Sequence, residues 1–347
     1  MTACAENGIL YLSRSNVEAI CQEIDPVALM KDVLCAHGSG ETVLPDEAYL
    51  SWRNSDNDPV RSLNMPGYVG AKFGAAGTKV INSNPANPAR GLPRASGVTL
   101  LFDRNTARVI CIMEGAHISA LRTAAITMVA LEYLASDHTR SLCVIGSGVV
   151  GMTHVQMAIA RFPMFDRVIL FDLDKGSAKT AADRVAERFD RRVQIEVVES
   201  AEAGVRSADV VIAATTVTSG YIAHDWLKPG AVAVNVSLDD FMPDVFLLAD
   251  LLFVDDWNLV RTDSRRLLGR LHRDGRIVGP EQASAFAGAR RVNGELSDLI
   301  LGRHPGRRAS EEIILVNPFG LAIEDVAFAS RVFEVAQHRR IGTHLEA

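Results

Sequence analysis

Leu142-Cys143-Val144-Ile145-Gly146-Ser147-Gly148-Val149-Val150-Gly151-Met152 is the stretch on which the fold turns. Its first four residues are apolar without polar alternation, as in a strand buried on both faces. The glycine-rich run then opens an apolar helix carrying Met152, Val155, Met157 and Ile159. Gly146 permits a tight turn, Gly148 lets backbone N–H groups reach a pyrophosphate at the helix N-terminus, and Gly151 allows close helix-to-strand packing. Ser147, Val149 and Val150 complete this candidate cofactor loop. The next apolar run ends in Asp172, where a dinucleotide fingerprint requires an acid. A carboxylate there accepts both ribose hydroxyls and repels a 2′-phosphate, and Asp174 adds to the repulsion, so NAD is expected rather than NADP.

Working outward, the apolar runs 142–145, 168–171, 194–198, 210–214, 231–236 and 251–254 alternate with helical stretches. That rhythm predicts an α/β fold with a Rossmann, doubly wound parallel sheet. Thr215 and Thr216 follow the fourth run and Ser237 the fifth, at the carboxyl edge where such sheets hold ligands. Their hydroxyls are candidate cofactor contacts, with simple satisfaction of loop backbone an equal alternative.

The first third reads differently. A strand at 9–12 and helical spacing over 15–37 precede strand-like runs at 48–52, 61–65, 79–82, 98–102 and 109–113, then an apolar helix over 119–135. This predicts a smaller α+β domain. Helical spacing over 323–338 is expected to pack back onto it, giving one domain of residues 1–125 completed by about 318–347 and a second of residues 126–317.

With 347 residues the chain is long enough for two cores, and 36 basic against 42 acidic residues give a formal charge of −6. That balance offers nucleic acid or an anionic membrane no global attraction. The most apolar stretch, 245–254, is interrupted by Asp250, so no segment spans a bilayer. Residues 1–8 carry no basic run followed by an apolar one, and the five cysteines, at 4, 21, 35, 111 and 143, are odd in number and scattered. The expectation is a reduced, cytoplasmic protein whose thiols are small core residues. The nine histidines show no metal-ligand spacing, so no metal is expected. The arginine-rich stretch 261–276 is read as a solvated helix face.

A basic cluster marks the first domain. Residues 82–94 are dense in turn formers and predict an ordered loop between two strands, with Lys79 before it and Arg94 at its end. Arg122 falls in the first turn of the helix read from 119, where a cation opposes the helix dipole unless an anion is held there. Lys79, Arg94 and Arg122 thus form a candidate carboxylate-binding set, with paired surface cations as the alternative.

Gly77-Thr78-Lys79, Asn87-Pro88-Ala89-Arg90-Gly91-Leu92-Pro93, Met113-Glu114-Gly115, Leu121-Arg122-Thr123-Ala124-Ala125 and the glycine fingerprint, in this order, resemble the ornithine cyclodeaminase and mu-crystallin family. The resemblance implies a homodimer, a substrate-binding and dimerisation domain joined to a Rossmann domain, and hydride transfer between a nicotinamide cofactor and an amino- or imino-acid carbon. It implies a catalytic lysine at Lys79, a substrate-carboxylate arginine at Arg122, and a catalytic aspartate after the fifth Rossmann strand, at Asp239 by register or at Asp240. Asn317 and Gly320, in the late motif Asn317-Pro318-Phe319-Gly320-Leu321-Ala322-Ile323-Glu324-Asp325, are candidate cofactor contacts.

That motif, Asn235-Val236-Ser237-Leu238, and an arginine at 94 resemble the branch that supplies 2,3-diaminopropionate to siderophores and other natural products. The branch implies NAD-dependent oxidative cleavage of N-(1-amino-1-carboxy-2-ethyl)-L-glutamate to L-2,3-diaminopropionate, 2-oxoglutarate and NADH. That substrate has several carboxylates, suiting Arg94 and Arg122 with further cations such as Arg53 or Arg90, whereas ornithine has a cationic tail that Arg94 would repel. Ornithine cyclodeamination, ketimine reduction and alanine dehydrogenation remain open, as does a nucleotide-binding module without turnover.

Overall fold

The computed structural model describes residues 8–189, 192–282 and 288–346; Cys4 and the opening residues 1–7 lie outside them. The chain forms two compact units, Met1–Arg122 with Gly320–Ala347, and Thr123–Phe319.

The first unit is built on a mixed sheet. Its strands run in the order Thr343–Leu345, Ile9–Leu12, Val109–Glu114, Ala95–Phe102, Ala75–Ser83, Pro59–Val69 and Thr42–Val43, with Ala48–Arg53 also paired to Pro59–Val69. Helical spacing over 15–37 resolves into two helices, Arg14–Cys21 and Pro26–Gly38. The break follows from Asp25, whose carboxylate accepts the backbone N–H groups of Val27 and Ala28 while Pro26 occupies the first turn. The apolar helix begins at Ala116, because Glu114 accepts from the N–H groups of Ala116 and His117. Arg122 therefore stands in the second turn, and the dipole argument made for it from the sequence gives way to direct partners described below.

The helix Ala322–Arg339 lies against the strands Pro59–Val69 and Ala75–Ser83. Val326, Phe328 and Val332 are fully buried on it, each stabilising by roughly 1.5–3 kcal/mol. Gly67 makes this close approach possible, since a Cβ there would stand 3.2 Å from the Ile323 backbone nitrogen. Glu324 and Asp325 are buried on the same helix, which is costly unless they are paired.

The second unit is a parallel sheet ordered Gln194–Val197, Arg167–Phe171, Ser141–Ile145, Val210–Ala213, Val232–Asn235, Ile314–Asn317, Leu251–Val254 and Gly294–Glu295. The α/β class read from the apolar runs is what the structure shows. Ile314–Asn317 enters the sheet between two strands that precede it in sequence, so the late motif starts at a carboxyl edge. Cys143 is a buried thiol of this sheet, pushed up to about 12 by burial, and Cys21 and Cys111 of the first unit are likewise buried. Among the described residues no helix is long and apolar enough to cross a membrane, and among them no group of three or more His, Cys, Asp or Glu could hold a metal ion.

Candidate active site

In the first unit the strand Ala75–Ser83 turns Lys79 toward the helix Ala322–Arg339. Lys79 Nζ lies 2.7 Å from Asp325 Oδ2 and 3.3 Å from Ser119 Oγ, with the lysine side chain 1% exposed. Arg122 Nη1 donates to Glu324 Oε2 at 2.9 Å, and its Nε stands 3.3 Å from Asp325 Oδ2. Two cations and two carboxylates thus share a buried cluster. Burial lowers the Lys79 pKa, the neighbouring Arg122 lowers it further, and Asp325 opposes both. A lysine so placed can exchange a proton nearer neutrality than an exposed one.

Glu324 and Asp325 are site residues that sequence reasoning missed, although two adjacent acids directly before the apolar run 326–329 were the available signal. Gly320, expected at the cofactor, instead lies on Arg122: it has φ +89°, and a Cβ would stand 2.4 Å from Arg122 Nη1. Glu114 is taken up by the N–H groups of Ala116 and His117.

The arginines diverge. Arg53 is exposed at the end of its strand, opposite Pro59, and donates to the Asn57 carbonyl at 2.7 Å. Met65, on that same partner strand, is the residue opposite Lys79, so Arg53 sits six positions, about 20 Å, farther along. Arg90 is held by Asp56 and Asp58, each at 2.8 Å. Arg94 is half-buried beside Ser83, to whose Oγ its Nη1 donates at 3.4 Å. The structure therefore groups Lys79 with Arg122, sets Arg94 on the same sheet, and removes Arg53 and Arg90 from the set.

In the second unit the glycine loop has the geometry its residues predict. Gly146 takes φ +100°, and a Cβ on Gly151 would meet Gly146 O at 1.9 Å, so both positions require glycine. Gly148 caps the helix Val149–Arg161 with no side-chain hydrogen bond, and a Cβ there would meet nothing within 4 Å. Ser147 Oγ is buried and without a partner among the described residues. Asp172 Oδ2 accepts the Ser147 N–H at 2.7 Å, fixing the loop to the end of the next strand. An open helix start, an orphaned hydroxyl and free space at Gly148 fit the pyrophosphate of a dinucleotide. Val149 is exposed at this helix start and Val150 accepts from His154.

At the carboxyl edge the hydroxyls turn inward. Thr215 Oγ1 donates to Asp240 Oδ1 at 2.6 Å, Tyr221 OH donates to the same oxygen at 2.9 Å, and Ser237 Oγ donates to Asp240 Oδ2. Thr215 and Ser237 thus satisfy a buried acid in the loop, while Thr216 is exposed. Burial raises the Asp240 pKa, the Thr215 and Tyr221 hydrogen bonds oppose that rise, and nearby Asp239 adds to it. Asn317 Oδ1 accepts from Asn235 Nδ2 at 2.7 Å between neighbouring strand ends.

Asp239, preferred by register as the catalytic acid, is committed elsewhere. Its Oδ1 accepts the Leu267 N–H at 2.8 Å and its Oδ2 pairs with Arg270 Nη2 at 2.8 Å. The arginine-rich stretch is accordingly more than a solvated face: Arg265 pairs with Asp263, and Arg266 stacks 4.2 Å over Phe319 while donating to the Pro318 and Phe319 carbonyls. Arg261, Arg273 and Arg276 are the exposed part of it.

Comparison with known proteins bears on these two clusters. The model of the ornithine cyclodeaminase/mu-crystallin family matches residues 29–340. N-((2S)-2-amino-2-carboxyethyl)-L-glutamate dehydrogenase of Staphylococcus aureus is 33% identical over 97% of this chain and 98% of its own. The crystal structure of CmnK is similar at TM-score 0.87 and 36% identity, covering 98% of each chain. Delta(1)-pyrroline-2-carboxylate reductase of Thermococcus litoralis, in complex with NADH and L-proline, aligns at TM-score 0.84 and 25% identity over 97% of this chain and 100% of that one. These relatives bear out the expected class, an NAD-dependent enzyme of amino and imino acids. The chain belongs to the ornithine cyclodeaminase/mu-crystallin family.

Proposed function

We propose that this protein catalyses the NAD-dependent oxidative cleavage of N-((2S)-2-amino-2-carboxyethyl)-L-glutamate to L-2,3-diaminopropionate and 2-oxoglutarate, a step of siderophore or other natural-product biosynthesis. The observation that carries it is the buried Lys79–Arg122–Glu324–Asp325 cluster, in a chain aligned nearly end to end with a dehydrogenase of that substrate. Bound at the glycine loop, NAD would supply the acceptor for the hydride lost by the glutamyl α-carbon, giving NADH. The C–N bond becomes an imine, water adds to it, and the C–N bond breaks to give the ketone of 2-oxoglutarate and the free amine; one proton is released overall. Arg122, whose Nη1 is held by Glu324, presents its Nη2 hydrogens to the α-carboxylate. Lys79, with its lowered pKa, moves the proton of the attacking water.

Asp240, whose partners are neutral hydroxyls and whose pKa burial raises, takes the role of the acid after the fifth strand rather than Asp239, which is ion-paired with Arg270. Gly146, Ser147, Gly148, Gly151 and Asp172 hold the dinucleotide. The working form is a homodimer, supported by the strand Ala48–Arg53, which is exposed along its whole length and displays Tyr49, Leu50 and Trp52.

The test is NADH absorbance after mixing protein and NAD with this substrate, ornithine serving in parallel. NADH with an equal amount of 2-oxoglutarate from the first alone supports the proposal. Proline and ammonia from ornithine, with no net NADH, would return the chain to the cyclodeaminases.

A further inference from the structure

We infer that Arg61 and Arg94 together bind a second carboxylate of the substrate, at the far end of the sheet face that carries Lys79, and so select amino acids whose side chain ends in an acid. This deepens the function proposed above and rests on it for the identity of the natural substrate.

The register sets the geometry. Arg61 opposes Ser83 across one strand pair and Ser83 opposes Ala95 across the next. Directly opposed residues share a face, so Arg61 and Ser83 point the same way. Arg94, just before Ala95, donates through Nη1 to Ser83 Oγ, which brings its guanidinium to that face. Lys79 lies four residues before Ser83 on one strand, hence on the same face and about 13 Å away. Leu63 and Ile81, opposed to each other, form the floor between. Arginine side chains extended over that floor would leave a gap suited to an acid of glutamate length.

The charges supply the second argument. Lys79 and Arg122 have Asp325 and Glu324, and Arg90 has Asp56 and Asp58. Arg61 and Arg94 have no carboxylate partner among the described residues, and Arg94 is half-buried, with burial and then Arg61 disfavouring its charge. Two guanidinium groups held together without an acid repel one another, and a bidentate carboxylate relieves that conflict. Arg61 thus takes the place that the sequence offered to Arg53 and Arg90.

The experiment is calorimetric titration of the NADH-loaded protein with 2-oxoglutarate and with 2-oxobutyrate, which lacks the second carboxylate. Wild type is expected to bind 2-oxoglutarate at least about tenfold more tightly. Arg61→Gln and Arg94→Gln should each remove about that factor for 2-oxoglutarate, leaving 2-oxobutyrate and NADH affinity unchanged. Arg61→Lys should restore part of it, since charge returns without the fork. Equal affinity of wild type for the two probes, or discrimination unchanged in variants that melt like wild type, overturns the inference. Arginine-dependent discrimination without turnover of the aminocarboxyethyl glutamate would leave it standing and reject the proposed reaction. Turnover with an Arg61→Gln KM equal to that of wild type would do the reverse.

Discussion

Lys79 Nζ stands 2.7 Å from Asp325 Oδ2 although 246 positions separate them, and neither side chain has more than 1% of its surface exposed. Each charge is tolerable in the interior because the other is there, with Arg122 as a second cation beside Asp325. Replacing Asp325 with Ala should therefore cost about 3–5 kcal/mol in urea unfolding, and Lys79→Met/Asp325→Leu should be markedly less destabilised than the sum of the single changes. Strict additivity in that cycle would show that the pair does not interact. Lys79→Met alone should abolish turnover while keeping NADH fluorescence titrations near wild type.

Asp239 and Asp240 should separate by readout. Asp239→Asn breaks the pair with Arg270, which is 41% exposed, and should lower unfolding free energy by about 1–3 kcal/mol with a comparatively small change in kcat. Asp240→Asn should leave a folded protein with kcat reduced at least about a hundredfold, the scale of a lost acid–base group. A stable but inactive Asp239→Asn enzyme would reverse the assignment. Because the Tyr221 hydrogen bond holds the Asp240 pKa down, Tyr221→Phe should move the acid limb of the kcat–pH profile upward.

The two fingerprint glycines should fail differently. Gly148→Ala has space for its methyl group and an ordinary φ of −73°, so it should fold, yet bind NADH at least about tenfold more weakly by fluorescence titration. Gly151→Ala would press a Cβ against Gly146 O and should lower the melting temperature itself. Undiminished NADH affinity in Gly148→Ala would remove the pyrophosphate from this loop.

His154 gives the second unit a pH dependence. It is fully buried, its Nδ1 meets the Val150 carbonyl at 2.8 Å and its Nε2 meets Thr127 Oγ1 at 3.0 Å. Burial lowers its pKa to about 4. Between that value and about 6.5 the unfolded chain binds the extra proton, so folding loses about 1.4 kcal/mol per pH unit from this group as pH falls through the window. His154→Gln should flatten that part of the stability profile measured by urea titration at successive pH values. An unchanged slope would mean the imidazole is charged in the folded state.

The exposed strand Ala48–Arg53 should mediate self-association. Wild type should sediment as a dimer and Trp52→Glu with Leu50→Glu as a monomer at equilibrium, and a dimer in both would place the interface elsewhere.

Whatever rests on neighbours along the chain was legible in the sequence. The strand, glycine turn and helix around Gly146 to Gly151 are local chemistry, since each glycine answers a steric demand set within a few residues. The Rossmann class followed from uninterrupted apolar runs, and the late helix from its own spacing. Tertiary structure decided which charges meet. No spacing rule links Lys79 to Asp325, Arg122 to Glu324, or Asp239 to Arg270 at the far end of a helical turn. Arg53, Arg61, Arg90 and Arg94 look equivalent as letters, yet register carries Arg53 six positions from the residue opposite Lys79, two aspartates hold Arg90, and Arg61 and Arg94 are left beside Ser83 without an acid. The reason is that backbone conformation is governed by short-range sterics and periodic burial, while electrostatic partnership depends on distances that long-range packing alone sets.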